Sequence, residues 1–182
     1  MSAALARCAL SALLPLALGC GQGVPGEAEG PRLETRWTGS DTAEFAAAAV
    51  AERCDSLNLL EIRAVAGDTG VALAVYRKDT ILAGDYPIRH PDVADTTPPS
   101  AAVALRWLEQ TAIRGFQSDS GTLTLSRAEN GALSGSFTAA VRDVSDTGRL
   151  AVIGSFEDLR VRPATRGCAP RPAPPDTGPG VD

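Results

Sequence analysis

Alternating polar and apolar side chains predict strands through the second half of the chain. Residues 122–126 read Thr-Leu-Thr-Leu-Ser, which is the two-residue period of a half-buried strand. The Asn130-Gly131 pair that follows is a strong short-range signal for a hairpin. Residues 133–142 resume the alternation, and 145–148 read as a further turn. The pattern therefore predicts consecutive antiparallel strands.

The apolar parity changes at residues 157–158. Residues 150–156 place their apolar side chains on one parity, whereas Leu159 and Val161 lie on the other. Because one extra residue moves every later side chain to the opposite face of a sheet, the change predicts a β-bulge or a bend.

Three more strands are predicted in the first half of the chain. Leu33, Thr35 and Trp37 form one alternating segment, and residues 60–64 and 71–75 form two others. The Gly-Asp-Thr-Gly sequence at 67–70 turns the chain between the last two.

Two segments fit either a helix or a strand. The Ala-rich segment 43–54 has good helix propensity, and Ser100 could cap a helix over 101–111. Both segments also lie between turns at strand-like spacing, and we assign them as strands. The predicted fold is mainly β, a single antiparallel sandwich or barrel. Tyr86–Ser100 holds four of the five prolines of the body and is predicted to be its single long loop.

Composition narrows the range of metal sites and binding partners. The chain has 182 residues, of which 44% are hydrophobic, and one histidine, His90. A single histidine excludes the multi-histidine metal sites of most zinc and copper proteins. The net charge of −5 argues against general nucleic-acid binding. Phosphate-loop and dinucleotide motifs are missing from the sequence as well, and we predict no cofactor, no metal and no nucleic-acid partner.

The first twenty residues resemble the signal peptide of a bacterial lipoprotein. A short basic start precedes the apolar run 8–18, which is too short to span a bilayer. The signal ends Leu16-Ala17-Leu18-Gly19-Cys20, which resembles a lipobox, although Leu18 stands where a small residue is usual. The resemblance implies cleavage before Cys20 and lipidation of that cysteine; ordinary secretion with a free Cys20 thiol is the alternative. Gly21, where an Asp would favour retention, implies outer-membrane delivery facing the periplasm.

Gly- and Pro-rich segments flank the domain. Residues 1–19 are assigned to the signal peptide, 20–31 to a flexible lipid-anchored linker, 32–168 to the β-domain and 169–182 to a disordered Pro-rich tail. An exported protein meets an oxidising compartment, and Cys8 and Cys20 belong to the signal and its cleavage site. The two remaining cysteines predict a Cys54–Cys168 disulfide.

The segment from Gly121 to Phe137, followed by Ile-Gly-Ser-Phe at 153–156, resembles uncharacterised small β-domain lipoproteins of bacteria. The resemblance covers about residues 111–162 and implies a fold but no activity.

Asp-Thr-Gly triplets are the clearest motif with catalytic potential. They occur at 68–70, 146–148 and 176–178, with Asp119-Ser120-Gly121 as a near copy. Aspartic proteases use two such triplets, whose carboxylates share a proton and activate water. Here neither Asp68 nor Asp146 directly follows a strongly apolar segment, and both fall where turns are expected, so we favour turns.

The segment around His90 offers two weaker candidates. His90 with Asp92 or Asp95 could form a general base, but the sequence lacks a nucleophile elbow, and we favour an exposed loop residue. Asp79, Asp85, Asp92 and Asp95 could supply oxygen ligands to Ca²⁺, although their spacing matches no calcium motif.

No residue is therefore assigned a catalytic role. The sequence favours a lipid-anchored envelope protein with a structural role or a binding role toward a protein, glycan or small ligand. A calycin-like carrier of an apolar ligand is the alternative, and a carboxylate-dependent hydrolase at Asp68 and Asp146 is less favoured.

Overall fold

The computed structural model describes residues 30–77, 83–164 and 168. Predictions for the signal peptide, for most of the linker and for the Pro-rich tail lie outside these residues. The described chain forms ten strands, one 3-10 turn at Asp55–Leu57 and one helical turn, α1, at Pro91–Ala94. The strands are β1 (Arg32–Gly39), β2 (Ala43–Cys54), β3 (Leu59–Ala66), β4 (Thr69–Tyr76), β5 (Gly84–Arg89), β6 (Ser100–Glu109), β7 (Ala112–Arg127), β8 (Leu133–Asp143), β9 (Arg149–Leu159) and β10 (Val161–Pro163).

The ten strands form one mostly antiparallel sheet, as the sequence predicted. Their order is β1-β9-β8-β7-β5-β6-β4-β3-β2-β10, and β1 also pairs with β2. That second pairing closes the sheet, so the fold is the barrel rather than the sandwich of the two predicted forms. No helix among the described residues has the length and apolar character needed to span a bilayer.

The two ambiguous segments are strands. In β2, Phe45, Ala49 and Ala51 face the interior while the residues between them are more exposed, which is the alternation of a strand. In β6, Val103 and Leu105 are buried in the same way. The closed sheet overrides the helix propensity of alanine because β2 and β6 each have partners on both sides.

The prediction of a single long loop at 86–100 is wrong. Residues 84–89 form β5, and the helical turn α1 follows it directly. Tyr86 and Ile88 of β5 are buried in the core. Pro87 is tolerated because β5 has a full partner, β7, on one side, and only Ile88 pairs with β6 on the other.

Two β-bulges shift the register of the sheet. The predicted one is present: the β8–β9 pairing shifts between Leu133 and Gly135, opposite a segment in which Asp158 has a φ of 54°. The second, between Ser118 and Ser120 of β7, was not predicted. It lies where β7 changes partner from β6 to β5.

Two Gly-Ser-Phe triplets face each other across β8 and β9. Gly135 pairs with Phe156, and Phe137 pairs with Gly154. A Cβ on Gly154 would lie 2.5 Å from the Phe137 ring, and one on Gly135 would lie 2.6 Å from Phe156. Each phenylalanine therefore fills the space above the other triplet's glycine, which gives the repeated motif a packing role.

An aromatic stack crosses the interior at one end of the barrel. The ring centroids of Trp37 on β1 and Trp107 on β6 lie 5.5 Å apart, and Trp107 stacks on Phe116 of β7 at 4.9 Å. Because β1 and β6 are not neighbours in the sheet, the Trp37–Trp107 contact spans the interior. Fully buried side chains, including Phe137 and Leu73, fill the space beneath it.

The predicted disulfide lies at the other end of the barrel. Cys54, the last residue of β2, is bonded to Cys168, 114 residues further along the chain. The start of β1 lies on the same side, since Arg32 pairs with Ala48 and β1 then runs away from Cys54. We call this side the tether end of the barrel.

Candidate functional site

A groove on the outer surface brings together two of the predicted candidate residues. Its volume is about 650 Å³, and it lies near the far ends of β7 and β8, away from the tether end. We call it the polar groove; the described residues that line it are His90, Gln117, Arg142, Asp143, Val144, Asp146, Thr147 and Arg149.

A buried ion pair forms one edge of the polar groove. Asp143 ends β8 with 4% of its surface exposed, and its Oδ2 accepts hydrogen bonds from Arg114 Nη2 at 2.7 Å and from Nε at 3.2 Å. Its Oδ1 accepts from the backbone N–H and the hydroxyl of Ser145. Burial opposes ionisation, but the hydrogen bonds from Arg114 and Ser145 outweigh it and lower the pKa of Asp143 to about 2.

The β7 bulge places a second carboxylate beside this groove. Asp119 is the residue passed over in the β7–β8 register, and it lies 3.0 Å from Arg142 Nε and 3.7 Å from Arg149 Nη1. Gly121 follows with a φ of 149°, and a Cβ there would lie 2.1 Å from the Thr138 carbonyl oxygen. The near copy of the Asp-Thr-Gly motif is therefore a bulge, not a turn.

His90 lies between β5 and α1 and is half-buried rather than exposed as predicted. Its Nδ1 is 3.6 Å from Asp92 Oδ2, which is beyond hydrogen-bond distance. Its backbone carbonyl accepts from Val93 and Ala94 and starts the helical turn.

The Asp-Thr-Gly triplets at 68–70 and 146–148 do not form a protease-like pair. Asp68 lies in the β3–β4 turn and Asp146 in the β8–β9 loop, and both are exposed. In the closed strand order, β1 and β2 separate the two connections on one side, and β6 and β7 on the other. Shared protonation needs carboxylates in contact, and the strand order holds these two apart. Asp176 lies outside the described residues.

The aspartates considered as calcium ligands occupy different parts of the structure. Asp85 accepts a hydrogen bond from Thr124, and Asp92 belongs to α1. Asp95 is exposed, and Asp79 lies outside the described residues. Among the residues that the structure describes, no three His, Cys, Asp or Glu side chains form a group able to hold a metal ion.

The predicted lipidation site, Cys20, lies outside the described residues. Of the predicted site residues, the structure brings together Cys54 and Cys168 in the disulfide, and His90 and Asp146 in the polar groove.

Sequence reasoning missed the arginines and the bulge that build the polar groove. The sequence does contain an indication of the bulge. Phe116 and Leu123 are both buried, but one lies at an even position and the other at an odd position, which requires an extra residue between them. The pairing of Arg114 with Asp143, 29 residues apart, had no local signal.

The polar groove is equipped for hydrogen bonding to a polar or anionic partner. Arg142 and Arg149 share one carboxylate, and their side chains are 49% and 78% exposed, which leaves guanidinium donors facing solvent. Gln117 and Thr147 add uncharged polar groups.

Comparison of the chain with protein-family models, with curated proteins and with solved structures finds no match.

Proposed function

We propose that this protein is a lipid-anchored protein of the bacterial envelope whose β-domain binds a partner without catalysing a reaction. The N-terminal pattern ending at Gly19-Cys20 supports the anchor, and the polar groove supports the binding role. The expected location is the periplasmic face of the outer membrane.

The start of the domain fits a tethered arrangement. Residues 20–31 would separate the lipid from β1, and a fully extended chain of that length spans at most about 40 Å. β1 begins toward the end of the barrel that holds the disulfide, so a tether preceding β1 would enter there. The polar groove lies toward the opposite end, and a tethered domain would present it away from the membrane.

The pairing of charged side chains in the polar groove carries the proposal of non-catalytic binding. Asp143 is fixed by Arg114 and Ser145, and Asp119 is shared by two arginines. A general base needs a pKa near the working pH, and that of Asp143 lies about five units below neutrality. Beyond these pairs, the exposed guanidinium groups of Arg142 and Arg149 offer hydrogen-bond donors, which suit recognition.

The filled interior favours this function over the calycin-like carrier. A carrier encloses its ligand in an apolar cavity of several hundred cubic ångströms. Here Phe116, Phe137 and Phe156 occupy the centre, and the aromatic stack crosses one end.

Cys20→Ala tests the anchor. The variant is expected to move from the membrane fraction to the soluble periplasmic fraction because it lacks the acylated cysteine. Fractionation with immunoblotting measures the distribution, and intact-mass analysis of wild type detects the acyl chains. Cys8→Ala, which alters a cysteine inside the signal, is the control and is expected to stay in the membrane. A Cys20→Ala variant that remains in the membrane pellet would refute the anchor.

Photo-crosslinking in membranes that contain the wild-type anchor tests the binding role. A photo-crosslinking side chain at Thr147, in the polar groove, is expected to give a discrete adduct that Arg142→Glu abolishes. The same side chain at exposed Thr122 of β7 serves as the control position. Equal crosslinking from both positions, or none from Thr147, contradicts the assignment of the polar groove as the binding surface.

A further inference from the structure

Four arginines line a second groove, located at the tether end of the barrel. It has a volume of about 300 Å³ and lies between the β7–β8 connection and β10. We call it the arginine groove, and the residues of it that matter here are Arg53, Arg127, Arg160, Arg162, Asn130 and Gly131.

The strand pairing fixes where these arginines lie. Arg53 is near the end of β2 and pairs in register with Pro163 of β10, which brings Arg162 and Arg160 beside it. Arg127 ends β7 and enters the groove from the hairpin that contains Asn130 and Gly131. Four separate chain positions thus converge on one surface.

Most of this positive charge is not neutralised by ion pairs with the residues that the structure describes. Arg53 forms an ion pair with Asp55 at 2.8 Å. Arg127, Arg160 and Arg162 are exposed and form no ion pair with any described residue. The described residues that line the groove include no Asp or Glu.

This patch contrasts with the charge of the whole chain. The chain carries a net charge of −5, so an anionic surface repels it on average. Attraction to such a surface requires a local concentration of positive charge, and the arginine groove provides one. Guanidinium groups also match phosphate oxygens in geometry, since each offers two parallel N–H donors.

The start of the described domain lies beside this groove. The N–H of Ala49 donates to the Pro31 carbonyl at 3.0 Å, and two residues further along β2, Ala51 pairs with Val161 of β10. Pro31 therefore lies next to the strand that Arg162 belongs to. A membrane that held the proposed Cys20 anchor would lie on the side of the barrel that carries the arginine groove.

We infer that the arginine groove binds the phosphate groups of anionic lipid headgroups in the membrane that holds the Cys20 anchor. This inference rests on the proposed function, because the anchor brings the groove to the membrane. The contact would orient the barrel with its tether end on the lipid surface and the polar groove toward the periplasm.

Vesicle flotation of residues 20–182, the proposed mature chain, carrying Cys20→Ala tests the inference without the covalent lipid or the apolar signal. The protein is mixed with vesicles of phosphatidylcholine alone or of phosphatidylcholine with phosphatidylglycerol. We expect binding to the anionic vesicles, weakened by added salt, and little binding to the neutral ones. The further substitutions R127Q, R160Q and R162Q are expected to weaken binding to the anionic vesicles by on the order of 100-fold. Each arginine near an anionic surface contributes to the attraction, and the variant lacks three of them.

A matched control removes the same charge elsewhere. R36Q, R89Q and R106Q alter three exposed arginines that line neither the arginine groove nor the polar groove. This control is expected to retain binding. Circular dichroism checks that both triple variants keep the fold. The inference is overturned if the parent protein, which carries Cys20→Ala alone, does not bind anionic vesicles, or if both triple variants lose binding equally.

Inorganic phosphate separates a lipid headgroup from a free phosphate ligand. If phosphate raises the melting temperature of the parent but not of the R127Q/R160Q/R162Q variant, while anionic vesicles do not bind, the groove takes a soluble anion and the membrane inference fails. Failure of the anchor is read separately, from the acylation state and fractionation of wild type. Loss of vesicle binding with an intact anchor refutes only this inference.

Discussion

Asp143 shows how a single buried carboxylate organises one edge of the polar groove. One oxygen accepts hydrogen bonds from Arg114, and the other accepts from the N–H groups of Ser145 and Asp146. The carboxylate thereby fixes the start of the β8–β9 loop, which supplies Asp146 and Thr147 to the groove. Charge-assisted hydrogen bonds of this kind are about twice as strong as neutral ones.

Asp143→Asn is expected to destabilise the domain in a pH-dependent manner. The pKa of Asp143 is lowered from 3.8 to about 2 in the folded protein, so the carboxylate contributes stability that is present above about pH 4. That contribution is lost as pH falls toward 2. Urea unfolding of wild type and variant across this range should show a gap that narrows with acid. Asp146→Asn, at an exposed carboxylate, is the control; a gap that does not change with pH would contradict the assignment.

At the scale of the element, β7 organises the sheet around it. Its first half pairs with β6 and its second half with β5, and the bulge lies where the partner changes. Ser118 joins all three strands, because its hydroxyl donates to the Arg89 carbonyl at 2.6 Å and accepts from the Val103 N–H at 3.0 Å. The same bulge places Asp119 beside the polar groove. One irregularity thus serves both the fold and the candidate site.

Ser118→Ala is expected to lower the free energy of unfolding by about 1–3 kcal/mol. Ser118 is fully buried, and its loss leaves the Val103 N–H and the Arg89 carbonyl without this partner. Chemical denaturation gives the value. Ser120→Ala, two residues away and exposed, should change the free energy by about 0.5 kcal/mol or less. Similar losses from both variants would show that Ser118 does not join the strands as described.

At the scale of the whole molecule, the two ends of the barrel differ in chemistry. The tether end holds the disulfide, the start of β1 and the arginine groove. The opposite end holds the aromatic stack, the Arg114–Asp143 pair and the polar groove. Closure of the sheet by β1 and β2 keeps the two ends apart, because the long strands, such as β2, β7, β8 and β9, run from one end to the other. A membrane-facing end and a partner-facing end follow from the proposed anchor.

Removing the disulfide is expected to destabilise the whole domain. In the chain-entropy model, closing a loop of 114 residues stabilises the folded state by up to about 4–5 kcal/mol. Guanidinium unfolding should therefore shift to lower denaturant in the Cys54→Ser/Cys168→Ser variant. Reductant should shift wild type in the same direction and leave the double variant unchanged. Equal midpoints for oxidised wild type and the double variant would contradict this prediction.

The sequence by itself determined the parts of the structure that depend on local periodicity and composition. Period-two alternation identified strands in both halves of the chain, because a strand alternates its faces whatever its partners are. The parity change at 157–158 located a bulge for the same reason. Counting the cysteines left after the predicted signal peptide and its cleavage site predicted the disulfide, which the structure contains.

Only the tertiary structure decided which strands are neighbours and which side chains meet. β5 was missed because Pro87 and the prolines that follow this strand are typical of a loop, and it is a strand because β7 offers it a complementary edge. The two grooves assemble from residues far apart in sequence, such as Arg53 with Arg127 and Arg114 with Asp143. Periodicity reports which face a side chain takes, whereas sheet closure and register set what lies opposite it. The two candidate grooves depend on sheet closure and register, so only the tertiary structure shows them.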